Sequence, residues 1–116
     1  MITREVTLHR GLKVGENKAM AATIREEIVA DELAALEAGL DGRALERHVT
    51  FLRVTRLGAL DQPDEAILKT LARVDLDLIE REMLAMDVQI AKDAGLLKED
   101  DAPREDEPGG APSGEV

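Results

Sequence analysis

The sequence predicts an α+β fold that is mostly α, in which an N-terminal β-hairpin at about residues 2–25 precedes about four helices and a disordered acidic tail. The prediction depends on three changes of pattern along the chain. Apolar and polar residues alternate at the N-terminus, apolar residues recur every three to four positions from Glu27 onward, and large apolar residues nearly disappear after Leu97. Residues 1–97 are therefore predicted to form a single domain, and residues 98–116 a disordered tail rich in acids, Pro and Gly.

The predicted hairpin depends on alternation and on a turn. Val6 and Leu8 lie on one face of an extended segment, with the polar Thr7 between them. The turn cluster that begins at Gly15 predicts a reversal of the chain. Residues 19–25 then form either the second strand, because apolar positions alternate there, or the first turns of a helix, because the segment is rich in alanine. The residues alone leave both alternatives open.

Helical spacing begins after the hairpin. It predicts one helix at about residues 27–39, ending near Gly39, and a second at about residues 43–57, ending near Gly58. The first carries an apolar stripe at spacings of four, three and four residues, formed by Val29, Leu33, Leu36 and Leu40.

Two more helices are predicted before the tail. Pro63 marks the start of a short helix at about residues 64–73. Asp75 is the predicted N-cap of the longest helix, at about residues 76–94, and Gly95 marks its end. This last helix carries an apolar seam with spacings of three and four residues, formed by Leu76, Ile79, Met83, Met86 and Ile90.

The seam of the last helix is the predicted partner or self-association surface. Apolar residues at this spacing usually belong to a core, and that interpretation is the more frequent one. The alternative is a surface that accepts another helix, because methionine repacks easily against different partners. Both can hold in an oligomer, where part of the seam packs inside and the rest contacts a partner.

The composition excludes several classes of function. The chain has 116 residues, of which 25 are acidic and 15 basic, a net charge of −10, and it contains no cysteine. Residues 98–116 hold seven of the acids and two of the bases, so half of the net charge lies there. Phe51 is the only aromatic residue. Because proteins bind nucleic acid with basic groups and stacked aromatic rings, we expect no nucleic-acid partner.

No residue pattern predicts a catalytic, cofactor or metal site. His9 and His48 are isolated, the only serine is Ser113, and most acids fall on polar faces of the predicted helices. No stretch approaches the roughly 18 apolar residues of a membrane helix, and no N-terminal run is typical of a secretion signal. We expect a cytoplasmic, non-catalytic protein without cofactor, metal or membrane partner.

Read in order, the chain resembles the Mu-like family of phage tail assembly chaperones over about residues 2–92. The family pattern is a hairpin with V-x-L, a turn glycine and L/I-R-E/D, then a helix rich in Leu and Thr that ends in a small turn, then L-x-x-L-x-x-x-D before the last helix. The residues that match this pattern are Val6, Leu8, Gly15, Ile24, Arg25, Glu26, Leu52, Thr55, Leu57, Gly58, Leu68, Leu71 and Asp75. The resemblance favours the hairpin alternative for residues 19–25.

The resemblance also implies a function. Proteins of this family bind the tape measure protein, keep it soluble for assembly of the tail tube in the bacterial cytoplasm, and are not expected in the mature virion. Other implied partners are a longer form of the same chain made by ribosomal frameshifting and the tail tube subunits; a homo-oligomer is compatible with the seam. The alternative from another class is an acidic antitoxin-like or inhibitory module that binds a protein, which would require charge arranged as a regular surface array.

Overall fold

The computed structural model describes residues 1–97. The predicted disorder of residues 98–116 lies outside the described residues. The elements, in chain order, are β1 (Thr3–Val14), β2 (Asn17–Arg25), α1 (Val29–Glu37), α2 (Gly42–Leu52), β3 (Val54–Leu57), β4 (Leu60–Asp61), α3 (Glu65–Leu68) and α4 (Arg73–Asp93).

The N-terminal hairpin is confirmed, and it is half of an antiparallel sheet with the strand order β1-β2-β3-β4. In this sheet β2 pairs with β1 on one side and with β3 on the other, so that Ala22 lies opposite both Val6 and Leu57. Residues 19–25 are therefore strand, because pairing on both edges outweighs the helix propensity of alanine.

The prediction that the fold is mostly α is wrong. Among the described residues, strands account for 28% and helices for 46%, which makes the fold α+β with a four-stranded sheet. The error lies in the helix predicted over residues 43–57, because α2 ends at Leu52 and Val54 begins β3. Val54 and Thr55 are β-branched residues that favour strands, and the edge of β2 that β1 leaves free pairs with β3 from Val54 to Leu57.

The other predicted helices form with different bounds. The first, α1, runs from Val29 to Glu37, inside the predicted range of 27–39. The third is reduced to the single turn of α3. The last begins at Arg73, so Asp75 lies in its first turn and is not its N-cap.

The chain divides into two units, Met1–Met86 and a second that begins at Asp87. The first unit holds the sheet, α1, α2, α3 and the greater part of α4; in the described part of the second unit, α4 continues to Asp93. The core of the first unit is aliphatic apart from one ring and consists of Val6, Leu8, Ala19, Ala22, Ile24, Ala35, Val49, Phe51, Val54, Leu57, Leu68, Leu76, Ile79, Met83 and Met86. None of the helices within residues 1–97 combines the length and hydropathy that a bilayer crossing requires.

Gly58, in the turn between β3 and β4, is a position where a side chain is expected to be costly. Its φ is +61°, and a Cβ there would lie 2.8 Å from the Cβ of Ala19. We expect Gly58→Ala to lower the free energy of unfolding by about 2–4 kcal/mol, through the positive φ and the clash together. Gly39→Ala is the matched control, because Gly39 also has a positive φ, but a Cβ added there would have no atom within 4 Å. Urea unfolding measures both losses. An equal loss of the free energy of unfolding in the two variants would show that the clash with Ala19 contributes nothing.

Candidate functional site

The structure places the predicted contact seam of α4 mainly in the core. Leu76, Ile79, Met83 and Met86 are buried, and Ile90 is half-buried. In the single chain the first four side chains therefore belong to the core, which is the more frequent of the two interpretations of such a seam. That they contact a partner stays a prediction, which would require α4 to leave its place.

An apolar stripe on α1 does face solvent. Val29 is 76% exposed, and Leu33 and Leu36 are each 51% exposed. We call these three residues the α1 stripe. Their spacing of four and three residues keeps them on one side of the helix along about 10 Å of its length. Because such stripes normally face the core of a small domain, this exposure indicates a surface suited to a second protein segment.

The opposite side of α1 is buried and contains a charged group. Asp31 is 4% exposed, and Ala35 is fully buried. The Asp31 carboxylate accepts two hydrogen bonds from the Arg25 guanidinium, from Nη1 to Oδ2 at 2.9 Å and from Nη2 to Oδ1 at 2.7 Å. It accepts a third from the backbone N–H of Ile28 at 2.9 Å. This bidentate pair fixes α1 with Asp31 inward, and the α1 stripe therefore points outward.

The Arg25–Asp31 pair is tied to neighbouring elements. Arg25 Nη2 also donates to the carbonyl of Leu52 at the end of α2, and Arg53 Nε donates to the carbonyl of Arg25. The hydrogen bonds from Arg25 hold the pKa of Asp31 below its ordinary value; burial opposes this effect and the Ile28 N–H assists it. Hydrogen bonding to Asp31 in turn raises the pKa of Arg25. Both groups are charged at neutral pH, so the pair is a structural anchor and has no proton to exchange.

A second buried carboxylate, Asp75, binds the backbone of β1. Between the pairs Thr7–Ala21 and Leu12–Ala19, four residues of β1 lie opposite a single residue of β2, which forms a large bulge. The bulge directs three successive backbone N–H groups at Asp75. His9 donates to Oδ1 at 2.6 Å, Arg10 to both oxygens at 3.1 Å, and Gly11 to Oδ2 at 2.8 Å. Because both oxygens accept bonds from the chain, this carboxylate also serves the fold.

Two grooves lie beside α2 and α3. The smaller, about 210 Å³, contains His48, whose Nδ1 lies 3.4 Å from Oε1 of Glu65. The larger, about 330 Å³, is bordered by Arg47 and Arg73, which pair with acidic residues of α4. Within residues 1–97, no group of three or more His, Asp and Glu side chains is placed to hold a metal ion. We take the α1 stripe as the candidate functional site, because it is an exposed apolar surface on a helix whose other side is anchored.

Comparison with known proteins gives no match: no protein-family model, curated protein or solved structure matches the chain. The resemblance to tail assembly chaperones accordingly remains a prediction from the residues. Any function must be argued from the geometry of this chain.

Sequence reasoning detected the spacing of the α1 stripe but did not identify it as the exposed surface. The missing information was which side of α1 is buried. One signal was present in the sequence, because Arg25 precedes Asp31 by six residues and no other base lies between Arg25 and Arg43. If Asp31 pairs with Arg25 at the end of β2, the side of α1 that carries Asp31 is buried. Leu33 and Leu36, on the other side of the helix, then face solvent.

Proposed function

We propose that this chain is a non-catalytic tail assembly chaperone of a phage or prophage, which binds the tape measure protein through the α1 stripe. The observation that carries the proposal is the solvent exposure of Val29, Leu33 and Leu36 on a helix whose other side is anchored. The family resemblance supplies the identity of the partner. In this proposal the chain acts in the bacterial cytoplasm and leaves before the virion is complete.

The geometry of the stripe suits a helical client. A tape measure protein is expected to expose apolar stripes along its helices until the tail tube surrounds it, and such stripes promote aggregation. A helix of the client can pack its own stripe against α1 at the usual separation of about 8–10 Å. A contact of only about 10 Å along α1 buries little area, which favours the weak, reversible binding that release requires. The net charge of −10 helps to keep the complex soluble.

The seam of α4 is not the first contact surface in this proposal, because it is buried. Contact through Met83 and Met86 would require the core to open, whereas the α1 stripe is exposed in the folded monomer. We therefore place the first contact with the client on α1. A longer frameshifted form, the tail tube subunits and a homo-oligomer remain further predicted partners.

The test is co-expression of the chain with its candidate tape measure protein, scored by the fraction of the client that is soluble and co-purifies. We expect Leu33→Ser/Leu36→Ser to lower that fraction at least about fivefold, because each substitution removes about 1–2 kcal/mol of apolar contact. Both side chains are exposed, so the variant should keep its free energy of unfolding within about 0.5 kcal/mol per site.

Val74→Ser/Leu84→Ser is the matched control, because both residues are exposed apolar side chains of α4. This control should capture the client as the unmodified chain does. Equal capture by all three proteins would remove the α1 stripe from the proposal. A client that stays insoluble with the unmodified chain would contradict the chaperone function itself.

A further inference from the structure

The exposed charged residues of the segment that carries the α1 stripe are all acidic. Glu27, Glu32, Glu37 and Asp41 are exposed, and the sequence has no base from residue 26 to residue 42. Among residues 1–97 none of the four forms an ion pair through its side chain. The stripe is therefore an apolar surface flanked by exposed acidic side chains.

Two of these acids lie on opposite sides of the stripe. At about 100° per residue, Glu32 projects about 70° to one side of the stripe axis and Glu37 about 70° to the other. The nearest preceding base, Arg25, is already engaged by Asp31 on the buried side of the helix. A partner helix lying along the stripe would thus have a carboxylate beside each of its edges.

This arrangement discriminates between possible occupants. A second copy packed through the same stripe would bring Glu32 and Glu37 against identical acids, which is unfavourable. Residues 98–116 of the same chain carry seven acids and only two bases, and their one large apolar residue is Val116. They therefore complement neither the acidic side chains beside the stripe nor its apolar surface. A helix with leucines on one side and Lys or Arg on both borders complements both.

We infer that the α1 stripe, with Glu32 and Glu37 beside it, selects an amphipathic helix whose apolar stripe is bordered by basic residues. The inference rests on the proposed function and specifies the chemical class of the client segment. The apolar contact supplies affinity for amphipathic helices in general, and the acidic border discriminates among them.

The test uses three labelled peptides of about 18 residues, a length that supports an isolated helix. They share one leucine stripe and differ only at the positions that border it, which are Lys, Gln or Glu. By fluorescence anisotropy at about 0.05 M salt, the Lys peptide is expected to bind about 10-fold more tightly than the Gln peptide, and the Glu peptide more weakly still. Salt screening should reduce the difference to less than about threefold at about 0.5 M salt.

Charge exchange on the protein provides the decisive comparison. Glu32→Lys/Glu37→Lys should reverse the preference, so that the Glu peptide binds best, and Glu32→Gln/Glu37→Gln should abolish the preference. The matched control, Glu5→Lys/Glu16→Lys, changes the net charge equally at exposed acids of β1 and of the hairpin turn and should keep the order of the peptides. Circular dichroism verifies that each variant is folded.

Three results would overturn the inference. Equal binding of the three peptides would leave α1 as an apolar contact without charge selection, and the proposed function would stand. Failure of every peptide to bind would also reject the inference, while co-expression with the tape measure protein judges the function independently. Sedimentation showing a dimer of the unmodified chain that Leu33→Ser/Leu36→Ser dissociates would assign the stripe to a second copy instead.

Discussion

Replacing Asp75 by alanine is expected to lower the free energy of unfolding by about 2–4 kcal/mol, because the bulge of β1 would lose the acceptor for three N–H groups. The hydrogen bonds that would be lost come from the backbone N–H groups of His9, Arg10 and Gly11, and the Asp75 carboxylate is fully buried. Asp75→Asn should lose most of the same stability, since its amide group would face backbone donors with a donor of its own. Urea unfolding followed by circular dichroism measures the effect in a chain without Trp or Tyr.

Asp77→Ala is the control for this measurement. Asp77 lies two residues further along α4, is exposed, and pairs with Arg73 of the same helix. Its removal should cost less than about 0.5 kcal/mol. If Asp75→Ala and Asp77→Ala had the same urea midpoint, Asp75 would not be what holds the bulge of β1.

Asp75 also illustrates what the sequence could and could not predict. Local sequence rules predicted that Asp75 is an N-cap, because an aspartate often precedes the first residue of an amphipathic helix. Its actual partners lie 64 to 66 residues earlier in the chain, in a bulge that no local pattern announces. The position of the helix was therefore predictable within a few residues, and the role of the carboxylate was not.

The strands show the same limit. The hairpin was predictable because alternation and a turn are local signals, as Val6 and Gly15 demonstrate. The strand β3 was not, because its apolar residues continue the helical spacing of α2 and only the free edge of β2 selects the extended conformation. For α1, the spacing of Leu33 and Leu36 predicted a stripe, but the direction of that stripe depends on a tertiary ion pair.

That ion pair supplies the second large expected effect. Asp31→Leu or Arg25→Met alone should lower the free energy of unfolding by about 3–5 kcal/mol, because each leaves a buried charge without its partner. The side chains of Arg25 and Asp31 are 14% and 5% exposed, so solvent screens the remaining charge little. The double variant should lose less than either single one, about 1–2 kcal/mol, since neither charge of the pair is then left buried without the other. A double variant that lost the sum of the single effects would show that the two residues act independently.

The pH dependence of stability tests the same pair without relying on a single substitution. The pKa of Asp31 is lower in the folded chain than in the unfolded chain, because Arg25 and the Ile28 N–H stabilise the charged form. The unfolded chain therefore binds a proton more readily, and the stability from this group is complete above the ordinary aspartate pKa of about 3.9. It is lost as the pH falls through the lower pKa of the folded chain. Below about pH 4 the free energy of unfolding of the natural chain should thus fall more steeply than that of Arg25→Met/Asp31→Leu, since only the natural chain has this carboxylate to protonate. Parallel curves for the two proteins between about pH 5 and pH 2 would show that the pair does not hold α1 in the folded state.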